Sequence, residues 1–210
     1  MKRSASASQK AILDAAQRLF SAQGFEKTSV SALAQEAGVN KALIYYYFQD
    51  KKGLLSALMQ RLQEQIYLGI QDIADQSQGD RKRFEEAMLP FVSDLLERME
   101  KQTPLWRILL RQSLDEDTAP PLLEFATPFL QDPRKTEELL QAGLLDAPLD
   151  LRDFAAEFFT SLMPLLGYLV FRHAWSARFG VPLEQLRSHF LWAYERTHMA
   201  YHKNRWKEES

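Results

Sequence analysis

The chain has 210 residues, 46% of them apolar and 26% charged, a composition that indicates a folded globular protein rather than a disordered one. It contains no cysteine, which excludes disulfides, thiol catalysis and cysteine-built zinc sites. Charge is unevenly distributed along the chain. Residues 1–52 carry eight basic and four acidic side chains, a net charge of +4, whereas the remainder carries eighteen basic and twenty-four acidic side chains, a net charge of −6. A basic N-terminal segment followed by an acidic remainder is typical of a protein that binds polyphosphate at one end, although a short segment can also reach this net charge by chance.

The start of the chain is basic and rich in serine, and no apolar segment follows it, so we predict no signal peptide. The longest nearly apolar stretch, residues 162–171, is half as long as the roughly 20 residues that a membrane helix needs. We therefore expect a soluble, cytoplasmic protein.

The spacing of apolar residues predicts an all-α fold of about nine helices, because alternating β-branched runs are missing while Ala, Leu, Gln, Glu and Arg dominate. The first three predicted helices are separated by tight turns and span residues 8–23, 30–37 and 41–48. Gly24 is placed to end the first helix, and Ser29 and Asn40 are placed to cap the second and third. Gly38 and Val39 form the turn between them.

A long amphipathic helix is predicted next, from residue 51 to about residue 74, and a polar break follows at residues 75–80. Four shorter helices are predicted after the break, over residues 81–101, 105–113, 121–130 and 134–144. Pro90 and Pro128 lie inside two of them, and we expect each proline to kink or end its helix.

The last two predicted helices, residues 151–179 and 183–203, carry more apolar surface than one neighbour can cover. A helix that is apolar on most sides must be buried on most sides. We therefore predict that both helices pair with their copies in a four-helix dimer interface, the alternative being a monomer that buries both in its own core. The predicted interface residues are Leu166, Val170, Phe190 and Tyr194.

The order helix, glycine turn, short helix, Gly-Val-Asn turn, short helix is the pattern of a helix-turn-helix, whose last helix enters the major groove of DNA. Small residues at 34, 37 and 38 allow the second and third helices to cross closely, and Ile44 and Phe48 are predicted to anchor the third. The opposite face presents Ala42, Tyr45 and Tyr46. A small residue permits close approach to base edges, and tyrosine hydroxyls can bond phosphates.

Three spaced motifs lie between Ile12 and Leu55: AAxxLFxxQGF, then TxVxxLAxxAGV, then IYYYF with a lysine at 51 and LL at 54–55. Together they resemble the DNA-binding domain of the TetR family of repressors. The rest of the chain is similar to that family in its helix count and in its apolar final pair of helices.

This resemblance implies a set of DNA-contacting residues at the start of the second helix and along the third. They are Thr28, Ser29, Ser31, Lys41, Ala42, Leu43, Tyr45, Tyr46, Tyr47 and Lys51. Thr28 and Ser29 would contact phosphate, Ser31 would face the groove, and the tyrosines with Lys51 would mix base and phosphate contacts.

Large apolar residues in the central helices are candidates for the lining of an effector pocket, a location to which the family resemblance points. They are Met88, Phe91, Leu95, Trp106, Leu110, Phe125, Phe129, Phe158 and Met163. The alternative is that these residues only form the core. Candidates for orienting a ligand are Arg111, Tyr168 and His173.

We predict neither an enzyme nor a metal protein. The sequence has no GxSxG segment, no glycine-rich phosphate loop and no paired-carboxylate arrangement. Glu195, His198 and His202 share a helix face and could bind a metal ion, but histidines near a C-terminus more often complement the helix dipole. No cofactor is predicted either.

The sequence therefore predicts a three-helix DNA-binding domain over residues 1–52 and a helical effector-binding and dimerisation domain over residues 53–210. The predicted function is that of a homodimeric repressor, released from a palindromic operator DNA by a small and largely apolar effector. Three alternatives stay open: control by a protein partner or by no ligand, action as an activator, and a helical enzyme or structural module with a vestigial motif.

Overall fold

The structure, a computed structural model, describes residues 4–114, 121–131, 133–145 and 147–202, and the side chains of 128–131 and 133–135 lie outside the description. These residues form helices and no β-strand, which confirms the all-α prediction. The ten helices are α1 (Ala5–Gln23), α2 (Val30–Ala37), α3 (Lys41–Phe48), α4 (Lys51–Ser77), α5 (Arg81–Lys101), α6 (Thr103–Ser113), α7 (Pro121–Gln131), α8 (Pro133–Gln141), α9 (Leu151–Phe179) and α10 (Leu183–Tyr194). A π-helical turn, Glu157–Leu162, interrupts α9, and another, Glu195–Met199, extends α10.

The described residues separate into two compact units. Unit 1 comprises Met1–Gln65 with Gln102–Phe125, and unit 2 comprises Ile66–Lys101 with Ala126–Ser210. The division falls inside the continuous helix α4 rather than after residue 52, where the sequence placed a domain boundary. Unit 1 also contains α6, because α6 packs against α1.

The core of unit 1 forms around one face of α1. Ile12, Ala16 and Phe20 recur at helical spacing and are fully buried, as are Leu33 of α2 and Ile44 of α3. Each fully buried side chain of this size contributes about 1.5–3 kcal/mol relative to an exposed one. The three first helices are therefore held together mainly by this apolar contact.

The turns between the first three helices are fixed by local hydrogen bonds that the sequence predicts. The Ser29 hydroxyl oxygen accepts from the Ala32 amide at 3.1 Å, and the Asn40 side-chain oxygen accepts from the Ala42 amide at 3.0 Å. Gly38 ends α2 in the left-handed region, with φ of 63°, where a residue without a Cβ is unstrained. These caps define both ends of the α2–α3 turn.

The α3–α4 connection is sharper than the sequence pattern suggested. Gln49 has a positive φ of 63°, and the Asp50 carboxylate accepts a hydrogen bond from the Gly53 amide at 2.7 Å. A Cβ on Gly53 would collide with the backbone carbonyl oxygen of Phe48. Only glycine therefore permits α4 to start this close to the end of α3.

Lys51, the first residue of α4, binds the α1–α2 loop. Its ammonium group donates to the carbonyl oxygens of Phe25 at 2.7 Å and Glu26 at 3.3 Å, and it lies 4.4 Å from the centre of the Phe25 ring. Hydrogen bonds from a charged donor are stronger than neutral ones. Lys51 therefore fixes the start of α4 to the loop that precedes α2.

Unit 2 is built around α5, α9 and α10. The Tyr168 hydroxyl on α9 donates to the Glu100 carboxylate on α5 at 3.0 Å, and Arg187 on α10 donates to the Ser93 carbonyl at 2.6 Å. Burial and the neighbouring Glu100 carboxylate raise the pKa of Tyr168 to about 12. Pro90 does not end α5, which runs unbroken past it, and Pro90 is exposed.

Helix α9 leaves much of its apolar surface uncovered within the described chain. It is long and apolar enough to cross a membrane by length and composition, a test that core helices of soluble proteins also pass. Only 22% of its most apolar window is buried. Phe159 and Phe171 are 68% and 63% exposed, so the all-round burial predicted for this helix is not achieved inside one chain.

Replacing Lys51 by methionine should lower the free energy of unfolding by about 1–2 kcal/mol, because two charge-assisted hydrogen bonds to the α1–α2 loop are lost while the apolar stem is kept. Urea unfolding followed by circular dichroism measures this change. Lys52→Met is the matched control, since Lys52 is the exposed neighbour on the same helix. Equal unfolding midpoints for the two variants would show that the contact contributes nothing.

Candidate nucleic-acid interface

Helix α3 has one buried residue and an outer face of polar and aromatic side chains. Ile44 is fully buried in unit 1, whereas Tyr45 and Tyr46 are 52% and 78% exposed. Lys41 and Ala42 at the first turn are also exposed. The arrangement fits the sequence prediction of a helix held by its inner face and presenting tyrosines outward.

Leu43 and Tyr47 lie at the margins of this outer face and are half-buried. The Tyr47 ring makes edge contacts with the neighbouring rings of Tyr46 at 5.1 Å and Phe48 at 6.2 Å between centroids. Tyr47 therefore packs between its two aromatic neighbours at the margin of the outer face.

The start of α2 offers hydroxyl groups at an exposed helix N-terminus. Ser29 and Ser31 are both exposed. The Ser29 oxygen accepts the Ala32 amide proton, which leaves the hydroxyl proton of Ser29 available for a phosphate oxygen. The positive end of the helix dipole favours an anion at the same place.

Thr28 and Lys51, two of the predicted DNA-contacting residues, form hydrogen bonds within unit 1. Thr28 is 1% exposed and its hydroxyl donates to the Gly24 carbonyl at 2.7 Å. The Thr28 amide donates to the Phe25 carbonyl, so Thr28 has no free donor for a phosphate. The Lys51 ammonium is engaged with two loop carbonyls. Both side chains are therefore engaged within unit 1, and their contacts with DNA stay predictions.

Two exposed lysines were not among the predicted contact residues. Lys27 precedes α2 and Lys52 follows Lys51 at the start of α4, and both are exposed. The sequence signal for them is the basic excess of residues 1–52, which does not identify individual positions. Together with Lys41 they give the exposed side of unit 1 mobile positive charge, which attracts phosphate at a distance.

The predicted effector-pocket residues divide between the two units. In unit 1, Trp106 and Phe125 are buried and pack edge to face with ring centroids 5.3 Å apart, and Leu110 is half-buried. In unit 2, Leu95 is buried, and the half-buried residues are Met88, Phe91, Phe158 and Met163. The side chain of Phe129 lies outside the described residues. Among the polar candidates, Arg111 and His173 are exposed and Tyr168 is bonded to Glu100.

The four predicted dimer-interface residues lie on α9 and α10, where two are buried and two are half-buried within one chain. Leu166 and Tyr194 are 1% and 3% exposed, because they pack within unit 2. Val170 and Phe190 are half-buried, and Phe190 stacks on Tyr168 with centroids 4.7 Å apart. The large exposed apolar residues of these two helices are instead Leu151, Phe159, Phe171, Trp175, Phe179, Leu183 and Trp192.

Residues 12–58 match the family model described as bacterial regulatory proteins, tetR family. The chain is 40% identical over 65 residues to the HTH-type transcriptional regulator AcrR of Shigella flexneri, covering 31% of this chain and 30% of AcrR. It is 32% identical over 107 residues to YttP of Bacillus subtilis (strain 168), named as an HTH-type transcriptional regulator, covering 51% of each chain. The alignments thus span a third to a half of these relatives' own length.

Solved structures with the same fold cover most of the chain at low identity. A protein from Rhodococcus sp. assigned to the TetR family has a TM-score of 0.60 at 22% identity, covering 91% of this chain and 98% of that one. FadR from Thermus thermophilus, solved in complex with lauroyl-CoA, has a TM-score of 0.58 at 17% identity, covering 91% of this chain and 93% of that one. FadR from Bacillus subtilis, solved in complex with stearoyl-CoA, has a TM-score of 0.55 at 21% identity, covering 88% of this chain and 96% of that one.

The family model covers the helix-turn-helix formed by α2 and α3, and the structural likeness extends the same fold through unit 2. Residues 12–58 of this chain therefore match the DNA-binding segment of the tetR family of bacterial regulatory proteins, and the chain shares the fold of solved proteins assigned to that family.

Proposed function

We propose that the chain is a homodimeric repressor that binds a palindromic operator through α3 and is released from it by a small, largely apolar effector. The observation that carries this proposal is the outer face of α3. There Lys41, Tyr45 and Tyr46 project from a helix that the buried Ile44 fixes to unit 1.

The chemistry of that face suits a major groove. An α-helix fits the width of the groove, and the exposed Ala42 near the start of α3 lets its backbone approach the base edges. Tyr45 and Tyr46 each offer a hydroxyl for a phosphate oxygen and a flat ring for sugar and thymine methyl groups. The exposed lysines 27, 41 and 52 supply the sequence-independent part of the affinity.

A second copy of the chain is the partner that we propose for α9 and α10. Phe171, Trp175 and Phe179 follow one another at four-residue spacing on α9 and are 63%, 41% and 60% exposed. Soluble monomers rarely leave large apolar side chains contiguous and uncovered. A dimer would also present two copies of α3, which must lie about 34–36 Å apart to enter successive major grooves.

The proposed effector is apolar because the side chains predicted to surround it are apolar. Trp106 adds a polar group: its indole N–H is fully buried and has no acceptor among the described residues. An unsatisfied buried donor costs about 1–3 kcal/mol, which a ligand oxygen or a bound water would recover. Acyl-CoA thioesters are the first class to test, since two proteins of this fold were solved with lauroyl-CoA and stearoyl-CoA.

Release from DNA requires coupling between effector and operator. Helix α4 is continuous from Lys51, next to α3, to Ser77 in unit 2, so it is the element that we propose to transmit the change. An effector that favours a placement of α4 with a different α3 spacing would lower DNA affinity, and a coupling of about 1–3 kcal/mol is sufficient. Identical placement of α4 in effector-bound and DNA-bound forms would exclude this mechanism.

Sites selected from random duplex DNA by the purified protein should contain an inverted repeat. Tyr46→Ala should weaken binding to the selected site by about tenfold, because one base or phosphate contact contributes about 1–3 kcal/mol. Fluorescence anisotropy at one fixed salt concentration measures the loss. Gln60→Ala, an exposed substitution on α4, is the control. If Tyr46→Ala binds as tightly as this control, α3 does not read the operator.

Phe171→Glu should convert the dimer to a monomer, because it places a charge in the apolar surface that the second copy covers. Sedimentation velocity measures the mass of the species. Leu68→Glu is the matched control, because Leu68 is 49% exposed on α4 and lies outside α9 and α10. A wild-type protein that sediments as a monomer, or a Phe171→Glu variant that remains a dimer, would contradict the proposed interface.

Lauroyl-CoA should raise the thermal unfolding midpoint and release the protein from its selected site, whereas free coenzyme A should do neither. Stabilisation grows with ligand excess and reaches about 2.7 kcal/mol at a hundred times the dissociation constant. Lauric acid tests whether the acyl chain without coenzyme A is sufficient for stabilisation and for release from the selected site. If none of these compounds stabilises the protein, the alternative of control by a protein partner or by no ligand is favoured.

A further inference from the structure

Three potential metal ligands meet where α9 and α10 cross. Glu157 begins the π-helical turn of α9, His198 lies in the π-helical turn of α10, and His202 lies one turn further along. The Nε2 atom of His202 lies 2.9 Å from one oxygen of Glu157, and the Nε2 atom of His198 lies 3.6 Å from the other. One ligand atom from each side chain falls within 4.8 Å of the other two. A single ion can therefore contact all three.

The hydrogen bonds around His198 decide which ring nitrogen faces the carboxylate. The Thr160 hydroxyl donates its one proton to the Ala156 carbonyl at 2.7 Å. Its oxygen lies 2.9 Å from Nδ1 of His198. In the tautomer that carries the proton on Nδ1, the Thr160 oxygen accepts that proton, and the Nε2 lone pair of His198 is directed toward Glu157. A metal-ligating histidine commonly donates its second nitrogen in this way, which makes Thr160 a positioning residue.

In that tautomer the Nε2 lone pair and a Glu157 oxygen lie 3.6 Å apart, and a cation bound by both atoms would remove their repulsion. The geometry places a Glu157 oxygen and the Nε2 atoms of His198 and His202 around one point.

The set of two imidazoles and one carboxylate favours a transition metal over calcium or magnesium, which take oxygen ligands. Zn²⁺ is bound by sets of this kind with a fourth position left for water. Access is possible because His202 and Glu157 are each about a third exposed, whereas the His198 side chain is 9% exposed. Glu195, the carboxylate that the sequence placed beside these histidines, is paired with Arg196 at 3.4 Å instead.

We propose that Glu157, His198 and His202 bind one divalent transition-metal ion of the Zn²⁺ type, with Thr160 as the positioning residue. The ion joins α9 to α10 at their π-helical turns. π-Helical turns inside longer helices are rare and often lie at functional sites, and here one occurs in each of the two helices that supply the ligands. This proposal does not depend on the effector or on DNA binding.

Isothermal titration of the full chain with Zn²⁺ alone tests the proposal. The protein is prepared without a polyhistidine tag and treated with a chelator before dialysis. We expect saturable binding of one ion per chain and a rise in the thermal unfolding midpoint, because the folded state alone brings the three ligands together. Co²⁺ serves as a second probe, since its visible absorption intensifies when it loses water for a low-coordinate site containing imidazole.

Four variants locate the binding. His202→Ala and Glu157→Gln should each abolish saturable Zn²⁺ binding and the rise in the thermal unfolding midpoint. Each variant removes a partly exposed ligand, so if one of them does not fold, the other still tests the site. Thr160→Val should weaken binding by about 10–100-fold and leave the stoichiometry unchanged, as expected when only the orientation of a ligand is lost. His189→Ala is the matched control, because it removes an exposed histidine of α10 outside the cluster.

The proposal is overturned if the wild-type chain shows no saturable Zn²⁺ binding. It is also overturned if folded His202→Ala or Glu157→Gln binds Zn²⁺ as tightly as wild type, or if His189→Ala reduces the affinity as much as they do. Circular dichroism establishes that each variant is folded before titration.

Discussion

Helix α3 has eight residues, and a helix of that length is marginal in water because the cost of nucleation is spread over too few hydrogen bonds. Its position therefore depends on one apolar contact, the burial of Ile44 against the core that α1 and α2 provide. Everything that α3 presents outward follows from that anchor. The Asn40 cap sets where the helix begins, Gly53 allows the chain to turn into α4 directly after Phe48, and Lys51 ties that turn to the α1–α2 loop. The tyrosine face is thus a product of the buried side of the same helix.

The sequence predicted those parts of the molecule that depend on contacts between residues close in the chain. Helical spacing located α2 and α3 at their observed bounds, and the Asn40 cap and the Gly38 turn are local hydrogen-bond and backbone features. It did not predict that Thr28 is buried or that Lys51 binds loop carbonyls, because both depend on partners in other elements. The contact of α6 with α1, which places α6 in unit 1, has no signal in the sequence for the same reason.

The same limit applies to α9 and α10. The sequence identified both helices as too apolar for one neighbour, but the burial of Leu166 and the half-burial of Val170 within one chain depend on contacts between helices. Twelve α-helical residues turn through about 1,200°, so Phe159 and Phe171 would face directions about 120° apart in a regular helix. The π-helical turn at Glu157–Leu162 rotates less per residue, which reduces this angle, and both rings are exposed.

This irregularity also connects the apolar surface with the polar cluster. A π-helical turn stabilises a helix less than an α-helical turn, so it persists where surrounding contacts compensate for it. In α9 the compensating contacts are polar: Thr160 bonds His198, Ser161 bonds Tyr194 at 2.6 Å, and Glu157 pairs with His202. Tyr194 ends α10, His198 lies in the second π-helical turn, and His202 follows that turn. These polar contacts thus join the π-helical turn of α9 to the end of α10 and to the segment that follows it.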